Sequence, residues 1–342
     1  MKKRWWMIPF LLVGGFLLVS HPVGVKAESS MGFSVNTILP ENQVDKTKTY
    51  FDLEMKPGQV QELSVVLTNA KNTAITIENH ANAAITNDNG IVDYSQVNPK
   101  LDQTLKYPFS KLADVEKTTT IPAHGQKTVK IKVTMPKESF DGIVLGGLHF
   151  KEQESKKAKT KNDESVQIEN RYAYVIGVRL VETKKRVQPD LELNQIKPSQ
   201  INYRNVLKVN LQNTKPVIIQ DFKVDAKVTK RGKEQVLFRE KKENMRLAPN
   251  SNFDYGVNWN NQAFKPGKYT LHLTAWGSGK KWTFTKNFEI KREEATKWND
   301  KAVELERDYT MWYVIGGVIL VLLLLIGVYL LGRKSRKKKE EE

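Results

Sequence analysis

Leu63-Ser-Val-Val-Leu-Thr-Asn69 sets Leu63, Val65 and Leu67 at every second position. A period of two buries one face of a strand and wets the other, whereas a helix would repeat its apolar residues near 3.6. The stretch returns later as Leu207-Lys-Val-Asn-Leu-Gln-Asn213. Each copy ends at an asparagine and is followed by a β-branched run, Ile75 to Ile77 and Val217 to Ile219. A second echo aligns without gaps: Ile121 laid on Met245 sets Val129, Ile131 and Val133 on Phe253, Tyr255 and Val257, and Phe140 on Phe264. Two copies of one sandwich plan are therefore expected.

The same alternation governs Phe222, Val224, Ala226 and Val228, then Tyr269, Leu271, Leu273 and Ala275. Turn signals separate the runs: Lys56-Pro57-Gly58, Asn89-Gly90, Ala123-His124-Gly125, Pro249-Asn250 and Pro266-Gly267. The reading is an all-β fold of two tandem immunoglobulin-like β-sandwich domains. Ile143 to Phe150 and Tyr172 to Val181 read as a hairpin of the first domain, with the charged stretch Lys151 to Glu169 at its tip. The boundary between the domains falls near Lys184 to Pro189.

Both ends of the chain are apolar. Ile8 to Val19 follows Lys2, Lys3 and Arg4 and leads to Val25-Lys26-Ala27, the pattern of a signal peptide and its cleavage site. Met311 to Leu331 carries no charge over 21 residues. As a helix it spans ~31 Å, the thickness of a bilayer core. Arg333, Lys334, Arg336, Lys337, Lys338 and Lys339 follow and orient the tail to the cytoplasm. Nothing in Lys297 to Thr310 resembles a sortase recognition sequence. The expected layout is a signal peptide at 1–27, sandwiches at 28–188 and 189–291, a stalk at 292–310, a transmembrane helix at 311–331 and a basic tail at 332–342. Trp298, Ala302 and Leu305 give the stalk a thin apolar stripe at helical spacing.

Composition narrows the class. The chain has no cysteine and no Asn-x-Ser/Thr sequon, which favours the surface of a Gram-positive bacterium over that of an animal cell. Of the formal charge of +17, four cations of the signal region and a net +3 in the tail leave about +10 on the exported part. That excess suits anionic wall polymers or is an ordinary basic surface; export excludes nucleic acid as a partner. His80, His124, His149 and His272 are scattered without metal-ligand spacing, and no serine elbow or phosphate loop is present. No catalytic residue, metal or cofactor is expected; carboxylates brought together from distant strands are the one enzymatic arrangement that sequence leaves open.

Candidate binding residues are polar loops and one tryptophan. Glu41, Asn42 and Gln43 offer a carboxylate and two amides suited to glycan hydroxyls, N-acetyl groups or peptide amides, or else they cap their own loop. Asn87 and Asp88, with Asn89 and Asp93, supply oxygen ligands without the full calcium-loop spacing, and a hairpin turn at Asn89-Gly90 is the simpler account of them. Trp276 and Trp282 flank Gly277-Ser-Gly279-Lys-Lys281. Trp282 shares a face with Phe284, Phe288 and Ile290 and reads as core, leaving Trp276 as the partner-binding candidate.

Longer motifs carry a family resemblance. Phe33-Ser-Val-Asn-Thr-Ile-Leu-Pro-Glu-Asn-Gln43, Thr49-Tyr-Phe-Asp-Leu-Glu-Met-Lys-Pro-Gly58, Thr86-Asn-Asp-Asn-Gly90 and Met135-Pro-Lys-Glu-Ser-Phe-Asp-Gly142 resemble the amino-terminal domain of the WxL-interacting proteins. Asn170-Arg-Tyr-Ala-Tyr-Val-Ile-Gly177, Leu211-Gln-Asn213, Met245-Arg-Leu-Ala-Pro-Asn-Ser-Asn-Phe-Asp254 and Lys265-Pro-Gly-Lys-Tyr-Thr-Leu271 resemble the carboxy-terminal one. The resemblance implies peptidoglycan binding by the first domain. For the second it implies binding to host proteins, extracellular-matrix proteins among them, or to WxL-domain surface proteins. Trp259, Trp276 and Trp282 lack a leucine two residues on, so the chain carries no WxL motif pair itself. A two-domain chaperone of exported proteins and a stand-alone adhesin are the alternatives.

Overall fold

The computed structural model describes residues 32–153, 172–305 and 310–339. The expected signal peptide and most of the expected charged loop lie outside them. The first sandwich packs two sheets face to face. One has the order β1-β3-β9-β7, built from β1 (Phe33–Ile38), β3 (Val60–Asn69), β9 (Gln126–Thr134) and β7 (Ala113–Val115). The other runs β2-β11-β10-β4-β8, with β2 (Phe51–Glu54), β11 (Ala173–Val181), β10 (Val144–Glu152), β4 (Ile75–Ala83) and β8 (Thr118–Ile121). Leu63, Val65 and Leu67 face Phe51, Ile77, Leu148 and Leu180 across one buried core. β10 and β11 form the hairpin, paired from Val144↔Leu180 to Lys151↔Ala173.

The second sandwich sets β12 (Leu191–Ile201), β13 (Arg204–Asn213) and β16 (Ser251–Asn258) against a sheet ordered β15-β14-β17-β18. These four are β14 (Ile219–Lys230), β15 (Val236–Leu247), β17 (Gly267–Gly277) and β18 (Lys280–Ile290). Trp259, Tyr255, Phe222, Leu271 and Leu273 lie in its core, and Trp282 and Phe284 pack against it from the edge.

The repeat is physical. Asn69 donates to the carbonyls of Thr73 and Pro122 and accepts from the Lys71 amide. Asn213 donates to Val217 and Ala248 and accepts from Lys215, the same i+4 and i+2 positions. Both asparagines are buried, so each brace satisfies carbonyls that water cannot reach. Asn213→Ala is expected to lower stability by about 1–3 kcal/mol, read from denaturant midpoints. In the first copy Leu63 pairs Ile131, but in the second Leu207 pairs Val257 rather than its counterpart Tyr255. The ladder has slid by two residues, an even step that keeps every side chain on its own face.

The two sandwiches touch through a small hairpin, β5 (Ile85–Thr86) and β6 (Val92–Asp93). Its turn lies on the second domain: the Arg246 amide donates to the Gly90 carbonyl at 2.8 Å. Gly90 has φ +72°, and a Cβ there would come within 2.5 Å of the Met245 sulfur, so contact this close needs glycine. Ala84, Leu145, Ile218 and Ala248 bury a small apolar cluster beside it.

A short helix, α1 (Phe109–Leu112), seats Phe109 in the first core. A second, α2 (Arg292–Asn299), packs Ala295 and Trp298 on the second sandwich, so this part of the expected stalk is docked on the domain. The Gln200 amide donates to the Trp298 carbonyl at 2.6 Å, and Val303 donates to Tyr203 at 3.0 Å. A third helix, α3 (Thr310–Lys339), contains the apolar span Trp312–Tyr329, with mean hydropathy 2.5, long and apolar enough to cross a membrane.

Candidate functional site

The loop after β1 turns at Pro40 and returns to β2, and Gln43 shapes it from inside. Its amide donates to the carbonyls of Asp45 (3.1 Å) and Tyr50 (2.9 Å) and accepts from the Asp52 amide (3.0 Å). Asn42 is likewise engaged, donating to the Glu54 carbonyl and exchanging two hydrogen bonds with the Gln61 amide at 2.9 and 2.8 Å. Both line an open cleft of about 990 Å³ with Glu54, Gln59, Glu182 and Lys184, while Glu41 is exposed on the adjacent turn. Lys184 lies 3.6 Å from Glu54 and Lys56 lines the same cleft, so acids, amides and cations share the lining. Such walls offer donors and acceptors without a dominant charge, which suits a neutral polyhydroxyl or amide ligand.

The structure places Asn87 and Asp88 elsewhere, at the junction of the domains. Asn87 accepts from the Asn89 and Ile91 amides and so braces the hairpin turn. Asp88 pairs with Lys208 at 3.1 Å and accepts from the Asp254 amide, both in the second domain. Burial pulls the Lys208 ammonium down, but hydrogen bonds and charge from Asp88 and Asp254 outweigh it and hold it above its ordinary value. No group of His, Cys, Asp and Glu suited to a metal occurs among the described residues.

Asp102 was not singled out by sequence, yet it is the most connected group of this junction. It accepts from the Thr104 amide and hydroxyl at 2.9 and 2.7 Å, from Gln212 at 2.9 Å and from Asn252. Burial raises its pKa, but the hydrogen bonds of Asn252, Thr104 and Gln212 prevail and hold it below the ordinary value. A carboxylate lowered in the folded state contributes stability above its unfolded pKa and loses it as pH falls through the folded one. The stability gap between the wild type and Asp102→Asn is therefore expected at pH 7 and should begin to narrow only below about pH 4, closing as pH falls through the lowered folded pKa, as measured by denaturant unfolding at pH 7 and along a series of acidic pH values.

Trp276 lies on the outer face of β17, half-buried, with the ammonium of Lys223 at 5.2 Å from its ring and that of Lys281 at 5.8 Å. The turn beside it has two residues, Ser278 at φ +49° and Gly279 at φ +78°, the mirror-type hairpin that matches strand twist. Trp276 thus stands between two cations on an open sheet face, whereas Trp282 points inward.

Two family models match in chain order. The WxL Interacting Protein, peptidoglycan binding domain, matches residues 33–152, and the WxL Interacting Protein, host binding domain, matches 163–300. The second match includes β11, which in space belongs to the first sandwich. Comparison with curated proteins gives no match. Among solved structures, a chain of the CsuC-CsuE chaperone-tip adhesion subunit pre-assembly complex of Acinetobacter baumannii is 12% identical, with 75% of this chain and 98% of that chain covered and a TM-score of 0.32. The E. coli chaperone DraB is 14% identical, with 76% and 98% covered and a TM-score of 0.27.

Proposed function

The chain belongs to the WxL-interacting protein family, and from that membership we propose a non-enzymatic, membrane-anchored scaffold that joins the cell wall to surface proteins. One observation carries the reading: two binding-domain models in sequence, followed by a helix able to cross a membrane. In this reading the first domain docks on peptidoglycan, and the polar cleft beside Glu41, Asn42 and Gln43 takes the glycan. The second domain holds a WxL-domain surface protein, with Trp276 as an anchor between Lys223 and Lys281. The basic tail remains in the cytoplasm and both domains face outward.

The test is direct. Full-length protein in detergent micelles should sediment with purified wall sacculi, and failure to do so removes the wall-docking role. The same protein, offered a surface extract of its own organism together with host matrix proteins, should retain a WxL-domain protein. Retention of matrix proteins alone would favour the adhesin.

A further inference from the structure

One end of the second sandwich is apolar. β13 ends at Asn213, which donates to Val217 and Ala248 beside the first domain, and β14 starts there at Ile219. The turns at the opposite ends of these strands, Asn202-Tyr203 and Arg231 to Gln235, therefore point away from the first domain. Among the described residues of the second domain, the large apolar side chains left exposed are Ile201, Tyr203, Val236, Leu237 and Val303. All of them lie at this end.

Tyr203 is 67% exposed at the tip of the β12–β13 hairpin. Asn202 at φ +51° and Tyr203 at φ +59° form a mirror-type turn, whose second place glycine fills without strain. A bulky ring kept there against backbone preference, and left mostly in water, points to a contact outside the domain. The path of the chain shows what lies beside it. Val303 donates to the Tyr203 carbonyl at 3.0 Å, and Glu304 pairs with Arg204 at 2.6 Å. From Val303 to the start of α3 at Thr310 the chain spans at most ~25 Å when fully extended. Whatever surface α3 enters is thus always within reach of the hairpin.

We propose that this end of the second sandwich docks on the outer lipid surface of the membrane that α3 crosses, with Ile201, Tyr203, Val236, Leu237 and Val303 set among the headgroups. The docking rests on the reading of α3 as the anchor. A tyrosine suits that boundary, because its ring is apolar and its hydroxyl keeps a polar partner. The turn between β14 and β15 sets exposed Arg231 and Lys233 against one acid, Glu234, just before Val236 and Leu237. Cations beside apolar side chains match lipid, whose phosphates lie directly above its acyl chains. The two turns belong to opposite sheets. Contact through both would fix the tilt of the domain, which the connection to α3 alone leaves free.

The chain has no cysteine, so one substitution places a fluorescent label at one position. Full-length protein is reconstituted in vesicles of phosphatidylcholine and phosphatidylglycerol that contain a headgroup nitroxide lipid, and is labelled at Tyr203→Cys, Glu192→Cys or Trp312→Cys. Glu192 lies on β12 about 30 Å before Ile201, so quenching at 203 is expected to exceed that at 192 by about threefold or more. Quenching at 203 no stronger than at 192, with strong quenching at 312, would overturn the docking and leave the anchor standing. Its absence at 312 would remove the anchor and the docking with it. The variant Ile201→Asp/Val236→Asp/Leu237→Asp/Val303→Asp separates docking from nearness imposed by the chain. Its label at 203 should lose most of the quenching, and an undiminished signal would overturn the docking. Energy transfer between copies labelled at 203, without quenching by lipid, would overturn it too and assign the face to a second copy.

Discussion

A chain ending at residue 153 is expected to yield no folded first domain, although the peptidoglycan-binding model ends at 152. β11 would be missing, and it is the strand between β2 and β10. Among the described residues β2 pairs only with β11 in this sheet, so two of its five described strands would be lost. Val178 and Leu180 are fully buried, and each contributes ~1.5–3 kcal/mol of burial, against a total domain stability of ~5–15 kcal/mol. The vacated face would leave Phe51 and Leu53 without cover. Far-UV circular dichroism and thermal melting should show a cooperative transition for 32–190 and none for 32–153. A chain starting at 163 should carry β11 as an unpaired apolar strand and self-associate, seen as a concentration-dependent mass in light scattering. A cooperative melt of 32–153 would show that β11 is dispensable.

Trp259→Ala is expected to be the most damaging single substitution in the second domain. The ring is 1% exposed and lies 3.9 Å from Phe238, 5.0 Å from Phe264 and 6.0 Å from Tyr269, centroid to centroid. Truncation leaves a void among three aromatics that cannot all move inward, at a cost of about 3–5 kcal/mol. The melting temperature of this domain should fall by at least about 12 °C, as read by calorimetry. Trp276→Ala removes a ring from an open face and should change the melt by no more than a few degrees, while weakening capture of the partner. Equal losses for the two substitutions would contradict the assignment of one to the core and the other to the surface.

The alternation of Leu63, Val65 and Leu67 carried enough to place a strand and the side it buries, because burial parity is a local property of the chain. The echo with Leu207 to Asn213 carried more, since the two asparagines make equivalent bonds. Ladder register was beyond it, as a slide of two residues leaves the apolar pattern unchanged. The polar candidates divide in the same way. That Asn42, Gln43, Asn87 and Asp88 sit in turns follows from their neighbours, whereas their engagement depends on Gln61, Tyr50, Lys208 and Asp254, up to 166 positions away. Asp102 was invisible for that reason. A lone aspartate in a loop has no periodic signal, and only the fold brings Gln212 and Asn252 to it.

The docking of α2 on the second sandwich sets how the molecule carries load. Only residues 306–309 separate the last described residue of that dock from the helix that can cross a membrane, a leash of at most ~18 Å. A pull on the first domain would cross the junction and the second sandwich and arrive at α2 with little slack to absorb it. There it meets one buried alanine, one tryptophan, the hydrogen bonds of Trp298, Asn299 and Val303 and the Arg204–Glu304 ion pair, less than the eleven paired positions joining β17 to β18. Under tension α2 would peel first, releasing residues 292–305 and lengthening the leash by ~50 Å before any sheet opened. The helix would then serve as a mechanical fuse, giving length before the domains give way.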